Sequence, residues 1–299
     1  MEFGTGRVGY VTLIGRPNAG KSTLLNRLLG YRLSAVSAKP NTTRKRWLGI
    51  VTDGNSQIIF VDTPGVHQAL NRMHRAMKKT IEDESANGDA IICLCDPTRK
   101  FGEEDRMAAE VVRGRKEAAI LIVNKTDMAS RDQIEKAVNQ YTEIVGNLPI
   151  VEISAQTGEG LPELMGKLKA MMPEGPFLFP EDQITDSVER EIAEEVIRES
   201  AIEFLHDELP QSVSVLLDSW LDTGKKTRIQ ASIVVERESQ KSIVIGREGK
   251  VIEKIRKSAR EKLMSMTDAF VDLKLRVKVV KDWQNKQQFL EENRIVDMT

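Results

Sequence analysis

Up to about Met172 the chain alternates short apolar runs with longer polar or helical stretches. The runs are residues 10–14, 58–61, 90–94, 119–123 and 150–153. Runs apolar on both faces and separated by helical stretches predict an α/β fold with a mostly parallel sheet, covered by helices on both sides. Ligands of such sheets bind at the carboxyl ends of the strands. From Met172 to Pro180 the chain carries three prolines and a glycine in nine residues. That segment can continue neither a helix nor a central strand. A linker is therefore predicted over 173–187, separating a domain at 1–172 from a smaller α+β one at 188–299. In the second part Val188, Ile192, Val196, Ile197, Ala201, Phe204 and Leu205 fall at helical spacing. Strands are predicted at 212–220 and 228–235, and a short one at 241–245. A glycine-bounded turn, a basic helix over 250–266 and a last strand at 271–279 follow. That strand alternates apolar residues with Asp272, Lys274, Arg276 and Lys278, so one face is buried and the other wet.

A length of 299 residues accommodates these two domains, and no apolar run approaches what a bilayer requires. No secretory signal is read at the start of the chain. The two cysteines, Cys93 and Cys95, lie on one predicted strand and read as small apolar core residues of a reduced, cytoplasmic protein. The net charge of −1 is uninformative, but its distribution is uneven. Residues 181–208 hold eleven acids against two arginines, and residues 241–281 hold twelve Lys and Arg against five acids. This asymmetry predicts an acidic helix and a separate basic surface in the second domain.

Four motifs fall at predicted strand ends. Gly15-Arg16-Pro17-Asn18-Ala19-Gly20-Lys21-Ser22 fits the phosphate-binding loop, between a strand and a helix carrying Leu24, Leu25, Leu28 and Leu29. Its backbone N–H groups and helix start suit phosphates; Lys21 is expected on the β- and γ-phosphates and Ser22, followed by Thr23, on Mg²⁺. Asp62-Thr63-Pro64-Gly65 offers an acid for the metal and a glycine N–H for the γ-phosphate. Asn124-Lys125-Thr126-Asp127 ends in a carboxylate that can accept from both N1–H and the amine of guanine. Adenine presents no such donor pair, so Asp127 argues against an ATPase. Ser154 and Ala155 complete the base pocket.

In the second domain Val244-Ile245-Gly246-Arg247-Glu248-Gly249-Lys250-Val251-Ile252 fits the core of a KH domain. A Gly-x-x-Gly turn admits the backbone of about four single-stranded nucleotides. The helix after it brings Lys250, Lys254, Arg256, Lys257 and Arg260 toward phosphates, while Glu248 is an acid where phosphate is expected.

These motifs resemble the translation-factor-like GTPases, and their order with the C-terminal unit resembles the bacterial Era family from about Val8 to the end. The resemblance implies a GTPase domain followed by a KH domain of the prokaryotic type II. It also implies GTP/GDP and Mg²⁺ as ligands, and slow turnover, because Val66 stands where Ras-type enzymes carry a water-orienting glutamine. Asn41-Thr42-Thr43-Arg44 matches the first switch, with Thr43 favoured over Thr42 as the magnesium ligand; Lys21, Thr43 and Gly65 are the expected catalytic set. Asn18 matches an asparagine that holds a potassium ion. The implied partners are single-stranded RNA near the 3′ end of 16S ribosomal RNA and the 30S subunit, with peripheral membrane association and no DNA. Two other readings stand: a GTPase for a protein or membrane partner, and an RNA-binding module whose nucleotide is structural.

Overall fold

The computed structural model describes residues 4–37, 39, 42–115, 118–266 and 269–295. It divides into two compact units. The first comprises the chain up to Ser34, Thr43–Leu70 and His74–Asp186; the second comprises Ala35–Thr42, Asn71–Met73 and the chain from Ser187 on.

The first unit runs β1 (Thr5–Gly15), α1 (Lys21–Leu29), β2 (Trp47–Asp53), β3 (Ser56–Asp62), α2 (Arg72–Asn87), β4 (Ala90–Cys95), α3 (Glu103–Arg113), β5 (Ala119–Val123), α4 (Arg131–Val145), β6 (Ile150–Glu152), α5 (Leu161–Met171) and β7 (Glu174–Pro176). The sheet order is β2-β3-β1-β4-β5-β6, parallel from β3 to β6. Strands β3, β4 and β5 are buried along their whole length, as their unbroken apolar runs predict. Ile14, Cys93, Cys95 and Leu121 pack with α2, α3 and α4 in one core. Cys93 and Cys95 are free, and burial pushes the Cys93 thiol up to about 12. They are inert core residues.

Two strands go beyond the predicted set. β2 pairs antiparallel with β3 through a two-residue turn at Gly54-Asn55. The turn residues between apolar runs carry that hairpin signal in the sequence. β7 pairs with the start of β1 at Thr5–Arg7. The proline-rich segment is thus packed on the first unit rather than free of it. Gln57 accepts from the N–H groups of Leu178 and Phe179 and donates to the Phe179 carbonyl, at 2.8–3.0 Å. Phe177 fills a cluster with Val8, Leu48, Ile50 and Ile59. Ile50 N–H then reaches the Ile184 carbonyl at 2.9 Å, which occupies the otherwise bare edge of β2.

The second unit runs α6 (Glu189–Phe204), α7 (Leu209–Ser212), β8 (Ser214–Asp222), β9 (Lys226–Val235), α8 (Glu238–Ile245), α9 (Lys250–Met266), β10 (Phe270–Val279) and α10 (Gln287–Glu292). Its sheet order is β10-β9-β8, with β10 parallel and β8 antiparallel to β9. The predicted strand at 241–245 is instead the second half of α8. Gln240 accepts from the N–H groups of Glu236 and Arg237, opening a helix ahead of the β-branched run, and Gly246 closes it on the Ser242 carbonyl. A short apolar run fits either state, and the helix start upstream decides it.

The predicted acidic helix is largely buried. From Ile192 to Ile202 most of α6 is buried, and its acids are partnered inside the unit. Lys262 pairs with Glu199 at 3.1 Å and with Glu203; Arg198 pairs with Glu195, and Glu194 accepts from Leu217 N–H. Of the α9 cations, Lys262 thus meets two α6 acids, Glu199 and Glu203.

Candidate functional site

The loop from Gly15 to Ser22 joins β1 to α1, at the point where the sheet order turns between β3 and β4. No side chain caps the start of α1, so its first N–H groups remain available to an anion. Lys21 is 5% exposed, and its Nζ donates to the Gly15 and Arg16 carbonyls at 3.0 and 3.1 Å. Burial lowers it to about 8, against the opposing pull of Asp62 and Glu104. A lysine so desolvated gains most from an anion placed beside it.

The expected metal ligands converge. Ser22 Oγ donates to Asp62 Oδ2 at 2.7 Å and lies 2.9 Å from Thr43 Oγ1. Ser34, which sequence reasoning missed, donates to the same carboxylate oxygen at 2.9 Å. The neighbouring Thr42 instead turns its hydroxyl to the Lys39 carbonyl. Two hydroxyls and a carboxylate are the hard oxygen donors that Mg²⁺ takes, so the residues fit that ion.

The Asp62–Gly65 segment is locked against the loop. Thr63 spends its hydroxyl on the Leu13 carbonyl at 2.7 Å, and Val66 N–H donates to the Gly15 carbonyl at 3.1 Å. A Cβ on Gly65 would stand 2.7 Å from the Pro17 nitrogen, so only glycine allows this approach. Val66 itself is buried in the core with Ile81 and Ala108. Its apolar side chain neither donates nor accepts a hydrogen bond, so it can orient no water.

At the base end most of the predicted residues brace loops, and Asp127 stands apart from them. Asp127 sits in a one-turn 3₁₀ helix (Thr126–Met128), exposed, and accepts no hydrogen bond from any described residue. Asn124 is 1% exposed and fully committed: Nδ2 donates to the Ala19 carbonyl, and Oδ1 accepts from Ala155 N–H, both at 2.9 Å. It ties the phosphate loop to the Ser154–Ala155 turn. Ser154 is buried and accepts from Thr157 N–H. Lys125 donates to the Asn18 carbonyl at 2.9 Å and pairs with Asp96 at 2.6 Å.

Arg16, expected at the nucleotide, turns its side chain away. It pairs with Asp105 at 2.7 Å and donates to the Lys100 and Asp96 carbonyls. Tyr141 donates to the same Asp105 at 2.7 Å. Sequence reasoning missed Asp96, Asp105 and Tyr141. Asp96 at the end of β4 carried a signal, an acid at a strand end, as at Asp62. Burial pushes the Asp96 carboxyl up, but hydrogen bonds from Lys125 and Thr98 outweigh it and hold it below the usual range.

In the second unit Gly246–Gly249 links α8 to α9. Gly246 has φ 74°, and a Cβ there would meet Val251 Cγ2 at 2.4 Å. Gly249 has φ 73° with nothing within 4 Å of an added Cβ, which leaves its backbone open to an approaching chain. Arg247 and Glu248 are exposed, and Glu248 pairs with Lys250 at 2.8 Å, which offsets its charge. Lys250, Lys254 and Lys257 share one exposed face of α9, opposite the buried Ile255, Ala259 and Leu263. Arg256 and Arg260 are less free than expected. Arg256 pairs with Glu253, and Arg260 donates to the Val271 carbonyl at 2.9 Å.

Comparison with known proteins bears on this geometry. A family model described as a 50S ribosome-binding GTPase matches residues 10–125, and a KH domain model matches residues 208–284. The GTPase Era of Geobacter metallireducens is 38% identical over 288 residues, spanning 96% of this chain and 97% of that protein. The chain belongs to the Era GTPase family. The GTPase Era of Staphylococcus haemolyticus is 35% identical over 95% of both chains. Among solved structures, an Era variant of Aquifex aeolicus bound to GDP·AlF₄⁻ superposes with a TM-score of 0.90 at 33% identity, covering 97% of this chain and 99% of that one. An Era complex with MgGDPNP and nucleotides 1506–1542 of 16S ribosomal RNA gives 0.91, with the same identity and coverage. This Era-family chain is thus a GTPase carrying a KH domain, with GTP, GDP and Mg²⁺ as its ligands.

Proposed function

We propose that this chain hydrolyses GTP as a switch for binding single-stranded RNA at the 3′ end of 16S ribosomal RNA, on the 30S subunit in the cytoplasm. The observation that carries the nucleotide half is the division of labour around the base and phosphates. Asn124, Thr63 and Arg16 are consumed in holding distant loops together, while Asp127 is exposed and Lys21 and the Ser22–Thr43–Asp62 cluster converge at the phosphate loop. In this reading Asp127 accepts from guanine, Lys21 neutralises the β- and γ-phosphates, and Gly65 presents its N–H to the γ-phosphate. Mg²⁺ held by Ser22, Thr43 and Asp62 would supply positive charge where hydrolysis develops negative charge.

The RNA half rests on the open Gly246–Gly249 turn beside the cationic face of α9. One matched family model is described by the large subunit, yet it spans only residues 10–125. The relative solved with 16S RNA aligns over 97% of this chain, which favours the small subunit. Base choice tests the first half. Asp127→Asn should weaken GTP binding by the loss of charge-assisted bonds worth about 1.5–3 kcal/mol each, and improve xanthosine nucleotides relative to GTP. Equal affinity of the native protein for ATP and GTP would refute it.

A further inference from the structure

The outer face of the second unit's sheet carries a row of side chains that the Gly-x-x-Gly site does not use. Register fixes it. Thr227, Ile229, Ala231 and Ile233 of β9, with Val271 and Leu273 of β10, are buried on one face. The alternate positions of β10 therefore share the other face: Phe270, Asp272, Lys274, Arg276 and Lys278, beside Lys226, Arg228 and Gln230 of β9. Lys274, Arg276, Lys278 and Arg228 are exposed. Among the described residues, five cations stand on this face against two carboxylates, Asp218 and Asp272.

The two acids do not neutralise the row; they shape it. Arg276 is held across all three strands, donating to Ser232 Oγ at 2.8 Å and to Asp218 Oδ1 at 2.9 Å, while Ser232 Oγ donates to Asp218 Oδ2 at 2.8 Å. Ser232 is fully buried, so this guanidinium is fixed in direction while its side chain stays 69% exposed. Asp272 pairs with Lys226 at 3.0 Å. Neither Lys274 nor Lys278 is held in an ion pair by a described residue. The row begins on an aromatic: Phe270 is 48% exposed, with the Arg260 guanidinium 4.9 Å and the Lys226 ammonium 5.5 Å from its ring centroid.

An exposed aromatic, an acid already paired to Lys226, and then cations at three successive alternate positions, Lys274, Arg276 and Lys278, about 6.6 Å apart, have the composition of a single-stranded nucleic-acid track. Cations meet successive phosphates and the ring offers a face to a base. A membrane surface would also accept the charge, but it has no use for one oriented guanidinium or for a single ring flanked by cations. We propose that the Phe270–Lys278 row of β10 is a second, sequence-independent RNA contact that takes single strand flanking the segment at Gly246–Gly249. It rests on the reading that this unit binds RNA.

The test uses the full chain and two RNAs from the 3′ end of 16S ribosomal RNA, one of about 8 and one of about 16 nucleotides. Fluorescence anisotropy at several salt concentrations reads the affinity of the parent, of K274E/K278E and of F270A. Both lysines are exposed and unpaired, so the double variant should fold, which circular dichroism checks. The expected result is a loss of about tenfold or more for the long RNA and less than about twofold for the short one. The salt slope for the long RNA should fall by about 1.4, because two cations no longer meet its phosphates. F270A should weaken the long RNA alone. Equal losses for both lengths, or none, would overturn the second contact. So would unchanged RNA affinity accompanied by lost binding to phosphatidylglycerol vesicles, which would assign the row to a membrane. A parent that binds neither RNA would instead overturn the underlying RNA reading.

Discussion

Asn124 offers a way to separate bracing from binding at the base pocket. Its two hydrogen bonds, both 2.9 Å and both buried, join the Ala19 carbonyl to the Ala155 N–H. In Asn124→Ala a methyl replaces the amide, and one donor and one acceptor lose their partner in a site 1% exposed. Leaving a buried polar group unsatisfied costs about 1–3 kcal/mol. The carbonyl retains a second lone pair and can relax, so about 3 kcal/mol for the pair is the working figure. For a domain of this size that corresponds to a drop of roughly 6–12 °C in Tm. Because the side chain ties the phosphate loop to the base turn, GDP affinity should fall as well, although Asn124 need not touch the base. Thermal unfolding by near-ultraviolet circular dichroism without nucleotide, and calorimetric titration with GDP, read the two effects. A nucleotide-free variant melting within about 2 °C of the parent, with unchanged GDP affinity, would refute the bracing role.

Three further outcomes follow from the same geometry. Lys21 has a lowered value of about 8, and a bound phosphate should return it toward its ordinary 10.5. Between those values only the bound state holds the proton, so GDP binding should take up a proton and weaken as pH rises above 8; titration in buffers of different ionisation enthalpy would show it, and pH-independent affinity up to pH 10 would contradict it. If Asn18 seats a potassium ion, hydrolysis should run faster in potassium than in sodium at equal ionic strength, and equal rates would remove that role from Asn18 alone. Val66→Ala should cost about 1.5–3 kcal/mol in stability through the two buried carbons lost and the cavity left, while leaving the rate per folded molecule nearly unchanged; a large rate loss in a folded variant would mean that Val66 acts on the water after all.

Local sequence made the nucleotide motifs legible because each is set by a strand end and a fixed spacing. The same logic places Gly246–Gly249, where the close approach of Val251 demands glycine at position 246. What the sequence concealed depends on partners distant in the chain. Asn124, Thr63 and Arg16 lie inside binding motifs, but their side chains are committed to Ala19 and Ala155, to Leu13, and to Asp105 respectively. No spacing rule reveals that. The α8 helix was hidden because the β-branched Ile243-Val244-Ile245 run reads as a strand once the Gln240 cap ahead of it is overlooked. The partnering of the α6 acids was hidden because Lys262 lies far along the chain from Glu199.

The most direct test of a GTPase that presents RNA through its second unit is the Gly249→Asp protein. Nothing lies within 4 Å of the added Cβ, and aspartate is among the residues that tolerate a positive φ, so the variant should fold. The new carboxylate stands where the turn is open to a phosphate backbone. Single-stranded RNA affinity measured by anisotropy should fall by about tenfold or more, while basal GTP hydrolysis stays at the parental rate. A folded Gly249→Asp protein that binds RNA like the parent would contradict the account.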